Sequence, residues 1–104
     1  MLSRVANSLY WLSRYLERAE NLARLVEVNR YESLDSTDPN PWRPLLYTTG
    51  TEKIFRESKE QDVGMFISFS EDNPDSIREC VAHARENARM VRDQISEEIW
   101  RDLN

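Results

Sequence analysis

Two evenly spaced rows of apolar residues, one near each end of the chain, constrain its fold more than any other feature. In the first row the spacing alternates between four and three residues, through Val5, Leu9, Leu12, Leu16, Ala19, Ala23 and Val26. The second row repeats the pattern through Ile77, Val81, Ala84, Ala88, Val91 and Ile95. Because an α-helix has about 3.6 residues per turn, each row follows one side of a helix. The sequence therefore predicts two long amphipathic helices.

Capping residues set the expected boundaries of these helices. Ser3 is a suitable N-cap for a first helix over residues 3–31. Asn73 followed by Pro74 is typical of a helix start, because proline is tolerated where its missing N–H has no partner, and this predicts a second helix over 74–103. The alanines near the centre of each row predict an antiparallel pair whose backbones approach most closely at Ala19, Ala23, Ala84 and Ala88.

The connector between the two rows is too long for a bare loop in a compact domain, so it should contain structure of its own. We expect short helices at about 41–49, ended by Gly50, at 51–59, with Thr51 as a possible cap, and at 62–69. Residues 63–69 also suit a strand, but a lone strand would lack a partner. The predicted fold class is an all-α helical bundle, in which two long antiparallel helices and the short connector helices form one domain over 1–104.

The distribution of charge argues against a nucleic-acid ligand. The formal net charge is −5, and residues 32–73 carry four cations against nine acids, whereas residues 1–31 carry five arginines against three glutamates. No Lys/Arg run could neutralise a row of phosphates, so a protein partner is favoured. The single cysteine, Cys80, has no internal disulfide partner, and neither a signal peptide nor a membrane span is recognisable. These features predict a cytoplasmic protein.

A second set of apolar residues remains outside the two rows. Its members are Trp11, Tyr15, Leu22 and Leu25 near the start of the chain, and Met90, Ile99, Trp100 and Leu103 near its end. The short connector helices can cover part of this set, but two long helices offer more surface than they can shield. We therefore predict an exposed apolar face that meets another subunit, in a homo-oligomer, or a continuation of the chain. The alternative is a scatter of ordinary surface residues.

A polar near-repeat flanks the apolar rows and supplies the candidate site. The segments Arg18-Ala19-Glu20-Asn21 and Arg85-Glu86-Asn87-Ala88-Arg89 share their residue types. One interpretation is a pocket for an anionic ligand such as a carboxylate, or an acid–base site; the other is a structural network of crossed Arg–carboxylate pairs, with pairs inside each helix such as Glu20–Arg24 and Arg89–Asp93. The candidate residues are Glu17, Arg18, Glu20, Asn21, Arg85, Glu86, Asn87 and Arg89.

The sequence predicts neither a metal nor a cofactor. Cys80 and His83 are three residues apart, but Cys80 falls beside the apolar row and His83 is expected to point toward solvent. A helical di-iron site needs histidines from two helices, and this chain has one histidine. Gly50 and Gly64 are the only glycines, so a phosphate-binding glycine loop is excluded.

The first 21 residues, which include the pair Glu17-Arg18, resemble the start of the bacterial alpha-E domain family. The likeness continues through residues 73–77 and 85–93, with Ser13 where the family usually has glycine. The resemblance implies an all-helical fold, a chain that corresponds to the N-terminal third of longer members, and the candidate residues given above. It also implies a setting beside ATP-grasp ligase-like and transglutaminase-like proteins, in the formation or processing of peptide or amide bonds.

Three functional hypotheses follow. The first is a non-catalytic helical accessory module that binds a partner enzyme or its peptide-like substrate. The second is an enzyme in which Glu17 and Glu20 are the acid–base groups, while Arg85 and Arg89 orient a carboxylate. The third is a helical bundle that only associates with itself.

Overall fold

The computed structural model describes residues 2–103, and the side chains of residues 3–102. Within that range the regular elements are all helices, without a strand: α1 (Leu2–Leu34), α2 (Arg43–Thr49), α3 (Glu52–Glu57), α4 (Val63–Phe69) and α5 (Ile77–Leu103). The all-α fold with two long helices and short connector helices is confirmed. The segment over 63–69, which suited either a strand or a helix, is helical, and Asp62 caps it by accepting the Met65 N–H at 3.1 Å.

The two long helices pack against each other in opposite directions. The ring of Tyr15 stacks on the ring of His83 with 4.9 Å between centroids, and further along α1 the Arg18 guanidinium lies 3.7 Å from the carboxylate of Asp75, which precedes α5. Ala19 and Ala84 are buried as expected for a close approach. The other two central alanines, Ala23 and Ala88, are exposed, so that part of the prediction is wrong. The helices are shifted relative to the predicted register, because α1 runs past the start of α5.

The start of α5 differs from the prediction by about one turn. Asn73 does not cap this helix; its side chain is buried, accepts the Asp75 N–H at 3.0 Å and donates to the Phe66 carbonyl at 3.3 Å. Ser76 is the N-cap, because its hydroxyl accepts the Glu79 N–H at 3.1 Å. The bond to α4 holds Asn73 in a separate turn, so the helix begins only at Ile77.

The other boundaries shift by a few residues. The first helix continues to Leu34 instead of ending near residue 31. Gly50 ends α2 in the left-handed conformation, with φ of 70°, as expected. The side chain of Thr51 makes no capping bond to α3; its hydroxyl lies 2.8 Å from that of Thr49 instead.

The buried core lies at one end of the molecule. Leu45, Leu46, Phe66 and Ile67 form its centre. The part of α1 that extends past α5 packs on this cluster through three partly buried residues, Leu22, Leu25 and Val26. The core therefore joins the connector helices to the C-terminal half of α1. The remaining length of α1 is covered by α5 alone.

The molecule is strongly elongated as a result. Its extents are 68 × 25 × 16 Å and its radius of gyration is 18.3 Å, against about 13 Å for a compact domain of this length. The accessible surface is 7890 Å². A compact monomer of 12.3 kDa would expose roughly 6,100 Å², so about 1,800 Å² is in excess. Among the helices of residues 2–103, none is both long and apolar enough to cross a membrane.

Candidate functional site

Three of the candidate polar residues come together in one cleft. Glu17, Arg18 and Asn21 line an open cavity of about 400 Å³ between α1, the α2–α3 turn and the turn before α5. Asn73 and Asp75 line the opposite side. This cleft contains as many acidic as basic side chains, because Arg14 is its other cation. Its charge alone therefore does not favour an anionic ligand.

Arg18 is the residue that connects α1 to the start of α5. Its guanidinium lies 3.7 Å from Asp75 and sits over the ring of Tyr15 at 5.6 Å from the centroid. Both charged side chains are about half exposed, so solvent screening leaves this ion pair at most about 1 kcal/mol. Its contribution is to position the turn before α5 against α1.

Cys80 lies beneath this contact. It is buried, and desolvation raises the pKa of its thiol above the ordinary value of 9.0, an effect that the nearby Arg18 guanidinium opposes. The thiol is also 3.8 Å from the Asp75 carbonyl, a long and weak contact. A buried thiol with a raised pKa is a poor nucleophile, which agrees with the structural interpretation of this cysteine.

The two carboxylates proposed as acid–base groups are both exposed and pair within α1. Glu17 lies 3.6 Å from Arg14, and Glu20 accepts a hydrogen bond from Arg24 at 2.6 Å. The second pair is the one expected from the spacing of four residues. Carboxylates that are half solvated and neutralised by their own helix lack the setting of an acid–base pair.

The candidate residues of α5 lie away from the cleft. Arg89 donates to Glu86 at 2.8 Å, and Asn87 donates to the His83 carbonyl at 2.8 Å. The expected pair between Arg89 and Asp93 is not the one formed, since Arg92 lies 3.3 Å from that aspartate. The prediction of crossed Arg–carboxylate pairs from Arg85 and Arg89 is wrong. These residues follow the buried Ala84 by one and five positions, so they turn outward instead of toward α1.

A larger feature than the cleft is an exposed apolar face on the hairpin, by which we mean the antiparallel pair of α1 and α5. Along each predicted row, covered and exposed residues alternate. Ala19 and Ala84 are buried, and the members that are partly buried include Val5, Leu12, Ile77 and Val91. The residues between them in each row are exposed. We call these the apolar face, which consists of Leu9, Leu16 and Ala23 on α1 and Val81, Ala88 and Ile95 on α5. Its four large side chains are 44–50% exposed, so they are half-covered by the hairpin itself.

Helix geometry places both halves of the apolar face on the same side of the molecule. A residue four positions after an inward-facing one is rotated by about 40° around the helix axis. Val81 follows Ile77, and Leu9 follows Val5, by four positions. Because the two helices are antiparallel, this rotation turns the later residue of each helix toward the same surface of the pair. The two rows are therefore neighbours on one surface.

The residues of the second apolar set differ in burial. Leu22 and Leu25 are covered by the connector helices, as expected. Trp11, Met90, Ile99 and Trp100 are exposed, and the side chain of Leu103 lies outside the described residues. Tyr15 is partly buried, and its stacking on His83 is a contact that the sequence did not reveal, because the two residues come from different helices. Trp11, Met90 and Trp100 lie off the apolar face, whereas Ile99 follows Ile95 by four positions and Arg92 by seven, so it continues one edge of that face.

The sequence also did not reveal a cavity of about 560 Å³ beside the connector. The turn before α2 forms one wall with Pro41 and Trp42, and α3 forms the other with Phe55 and Arg56. These residues come together only because α2, α3 and α4 fold around the core. The proline and tryptophan in sequence were the one local signal, and they indicated no more than a turn.

The family assignment agrees with this architecture. A family model named Alpha-E, described as a predicted alpha-helical domain with a conserved ER motif, matches residues 1–104. The chain belongs to the Alpha-E family. In this member the Glu-Arg pair of the resemblance is Glu17-Arg18, in which Arg18 reaches Asp75 while Glu17 lines the same cleft.

Similar curated proteins are mycobacterial. An uncharacterised protein of Mycobacterium bovis is 31% identical over 117 aligned positions, and uncharacterised proteins from two strains of Mycobacterium tuberculosis are 31% and 30% identical. Each match covers 93% of this chain, and the chain spans 13% of the length of those relatives. No solved structure matches the chain significantly.

Proposed function

We propose that this Alpha-E chain is a helical accessory module that binds helices of a protein partner through its apolar face. The observation that carries the proposal is that every second residue of both apolar rows is exposed. Residues such as Leu16 and Val81 continue the periodic pattern of the buried ones, yet the hairpin leaves them half exposed. A further helical layer would complete their burial, as in a four-helix bundle.

The surface area supports this proposal quantitatively. A stable interface buries roughly 800 Å² on each partner. The excess of about 1,800 Å² over a compact monomer is more than enough for such a contact.

The resemblance suggests which partners to test first. ATP-grasp ligase-like and transglutaminase-like proteins are the candidates, in a system that forms or processes peptide or amide bonds. The curated relatives contain a segment similar to this chain within much longer proteins, which supports a modular role. The exposed, internally paired Glu17 and Glu20 give no support to catalysis by this chain.

Co-purification of the chain with a second, differently tagged copy or with a co-expressed ATP-grasp ligase-like protein tests the proposal. We expect Val81→Lys to abolish association, because a charge replaces an apolar contact at the centre of the face. The matched control is Met90→Lys. Met90 and Val81 are both 48% exposed, but nine residues, about 180° of helix rotation, separate them.

The control variant should associate like the parent chain. Equal retention of Val81→Lys and Met90→Lys, in this assay and in self-association, would show that the apolar face is not a binding surface. Circular dichroism of both variants checks that the helices remain folded.

A further inference from the structure

We propose that the occupant of the apolar face is a second copy of this chain, packed so that α1 of each copy lies on α5 of the other. This inference rests on the proposed function, because it requires that the apolar face be a binding surface. It adds the identity of the partner, the symmetry of the pair and the residues that meet. The product is a four-helix bundle with a two-fold axis parallel to the helices.

Charge complementarity is the first argument for a second copy. Arg78, Arg85 and Arg92 follow the outer edge of the apolar face on α5 at intervals of seven residues, and each is exposed. On α1 the edge level with these arginines has Ala6, Ser13 and Glu20, also at intervals of seven and also exposed, and Glu20 already accepts a hydrogen bond from Arg24 of its own helix. One edge is therefore basic and the other neutral to acidic. A second copy presents the complement of each edge.

The same charges select one of two symmetric arrangements. A two-fold axis perpendicular to the helices would place α5 on α5, and would bring the two arginine rows together. An axis parallel to the helices places α1 on the partner's α5, so that Arg78 meets the partner's Glu20 and Arg85 meets the partner's Ser13. Like charges directly opposite each other are unfavourable, which disfavours the first arrangement. In the second, every neighbouring pair of helices is antiparallel.

The register follows from the fold of the single chain. A two-fold rotation allows no shift along its axis, so each residue of α1 lies level with the same part of α5 in both copies. Inside one chain Tyr15 meets His83 and Arg18 meets Asp75. Leu16 is therefore level with the partner's Val81, and Glu20 is level with the partner's Arg78. Leu9 is level with the partner's Ala88, which pairs a large side chain with a small one.

The arrangement also accounts for the width of the apolar rows. In a hairpin alone, only one side of each row is covered, through residues such as Ala19 and Ala84. In a four-helix bundle, the whole row points toward the common core, because each helix has two neighbours about 90° apart. All the apolar residues of each row, spaced by four and three, are then in contact with the core of the bundle.

The first measurement is the solution mass of the full chain by light scattering over a dilution series. We expect a dimer, and we expect Leu16→Lys to raise the dissociation constant by about a hundredfold or more, because each copy would bury a lysine. Met90→Lys should leave the dissociation constant within about twofold of the parent value. A parent chain that is monomeric at every concentration would overturn the proposal.

Charge exchange tests the identity of the partner. Glu20→Arg alone and Arg78→Glu alone each create two repulsive pairs per dimer, and each should weaken the dimer by about tenfold. An equimolar mixture of the two variants should dimerise like the parent, because both pairs in the mixed dimer are attractive. Melting temperatures of the separate variants check that neither has lost its fold.

The outcomes separate this inference from the function on which it rests. A mixture no tighter than its components would overturn the arrangement of α1 on the partner's α5. A monomeric chain that binds an ATP-grasp ligase-like protein, and loses it on Val81→Lys, would keep the proposed function and overturn the second copy. If neither self-association nor partner binding responds to Val81→Lys, the proposed function fails as well.

Discussion

At the scale of single residues, Arg18 and Cys80 show how one side chain joins three parts of the chain. Arg18 contacts Asp75 and Tyr15, and its guanidinium lies close to the buried thiol of Cys80. The thiol is neutral in this setting, because burial penalises the thiolate more than the arginine stabilises it. The contact therefore fixes helix packing and leaves the cysteine chemically quiet.

The raised pKa of Cys80 predicts a loss of stability at alkaline pH. The thiol of the unfolded chain titrates near its ordinary pKa of 9.0, below that of the folded chain, so the unfolded state releases its proton first as pH rises. The contribution of Cys80 to the free energy of unfolding is thus full below pH 9.0 and falls above it. Urea denaturation at pH 7 and pH 10 measures the decrease in the free energy of unfolding between these two pH values. This decrease should be smaller for Cys80→Ala than for the parent chain. Equal decreases would contradict the assignment.

At the scale of elements, the short helices owe their positions to the core. α3 and α4 each have one turn or two, too short to be stable in isolation. Phe66 of α4 is fully buried and forms a T-shaped ring pair with Phe55, with 5.1 Å between the centroids. Packing on α1 through Leu22 and Leu25 then fixes the whole connector.

Truncation of Phe66 should therefore destabilise the connector and the chain with it. We expect Phe66→Ala to lower the free energy of unfolding by about 3–5 kcal/mol, the usual cost of removing a buried phenylalanine. Phe69 lies in the same helix but is 55% exposed, so Phe69→Ala should cost less than about 1 kcal/mol. Urea denaturation followed by circular dichroism measures both. Similar losses for the two variants would contradict the position of the core.

At the scale of the whole molecule, the elongated shape results from an off-centre core. The connector helices cover one end of α1, while the other end is covered by α5 alone. His83 is followed by twenty residues of α5, but Tyr15 is preceded by thirteen residues of α1. Because these two residues are level, the last turns of α5 project beyond α1. The molecule is long and thin in consequence.

This shape predicts the dimensions of the proposed dimer. Two hairpins stacked face to face should double the mass while the maximum dimension stays close to the 68 Å of one chain. Small-angle X-ray scattering of the parent chain measures this dimension. The variant Leu16→Lys should give the same length with half the mass. A dimer much longer than one chain would indicate end-to-end contact instead.

The sequence determined those features that depend on local periodicity. A spacing of four and three residues specifies a helix wherever it occurs, so both long helices were predictable to within a few residues. The pair Glu20–Arg24 was predictable for the same reason, since it lies within one helix. Asn73-Pro74 is the stronger local signal for a helix start, but the cap of α5 is Ser76, which directly precedes Ile77.

Only the tertiary structure decided which half of each apolar row is buried. Periodicity shows that residues share a side of a helix, but their burial depends on how many helices pack there and in which register. The single chain supplies one long neighbour, so Ala84 is covered while Val81 stays half exposed. The contact between Arg18 and Asp75 likewise joins residues far apart in sequence. The physical reason is that helix formation is local, whereas register and burial depend on packing between distant segments.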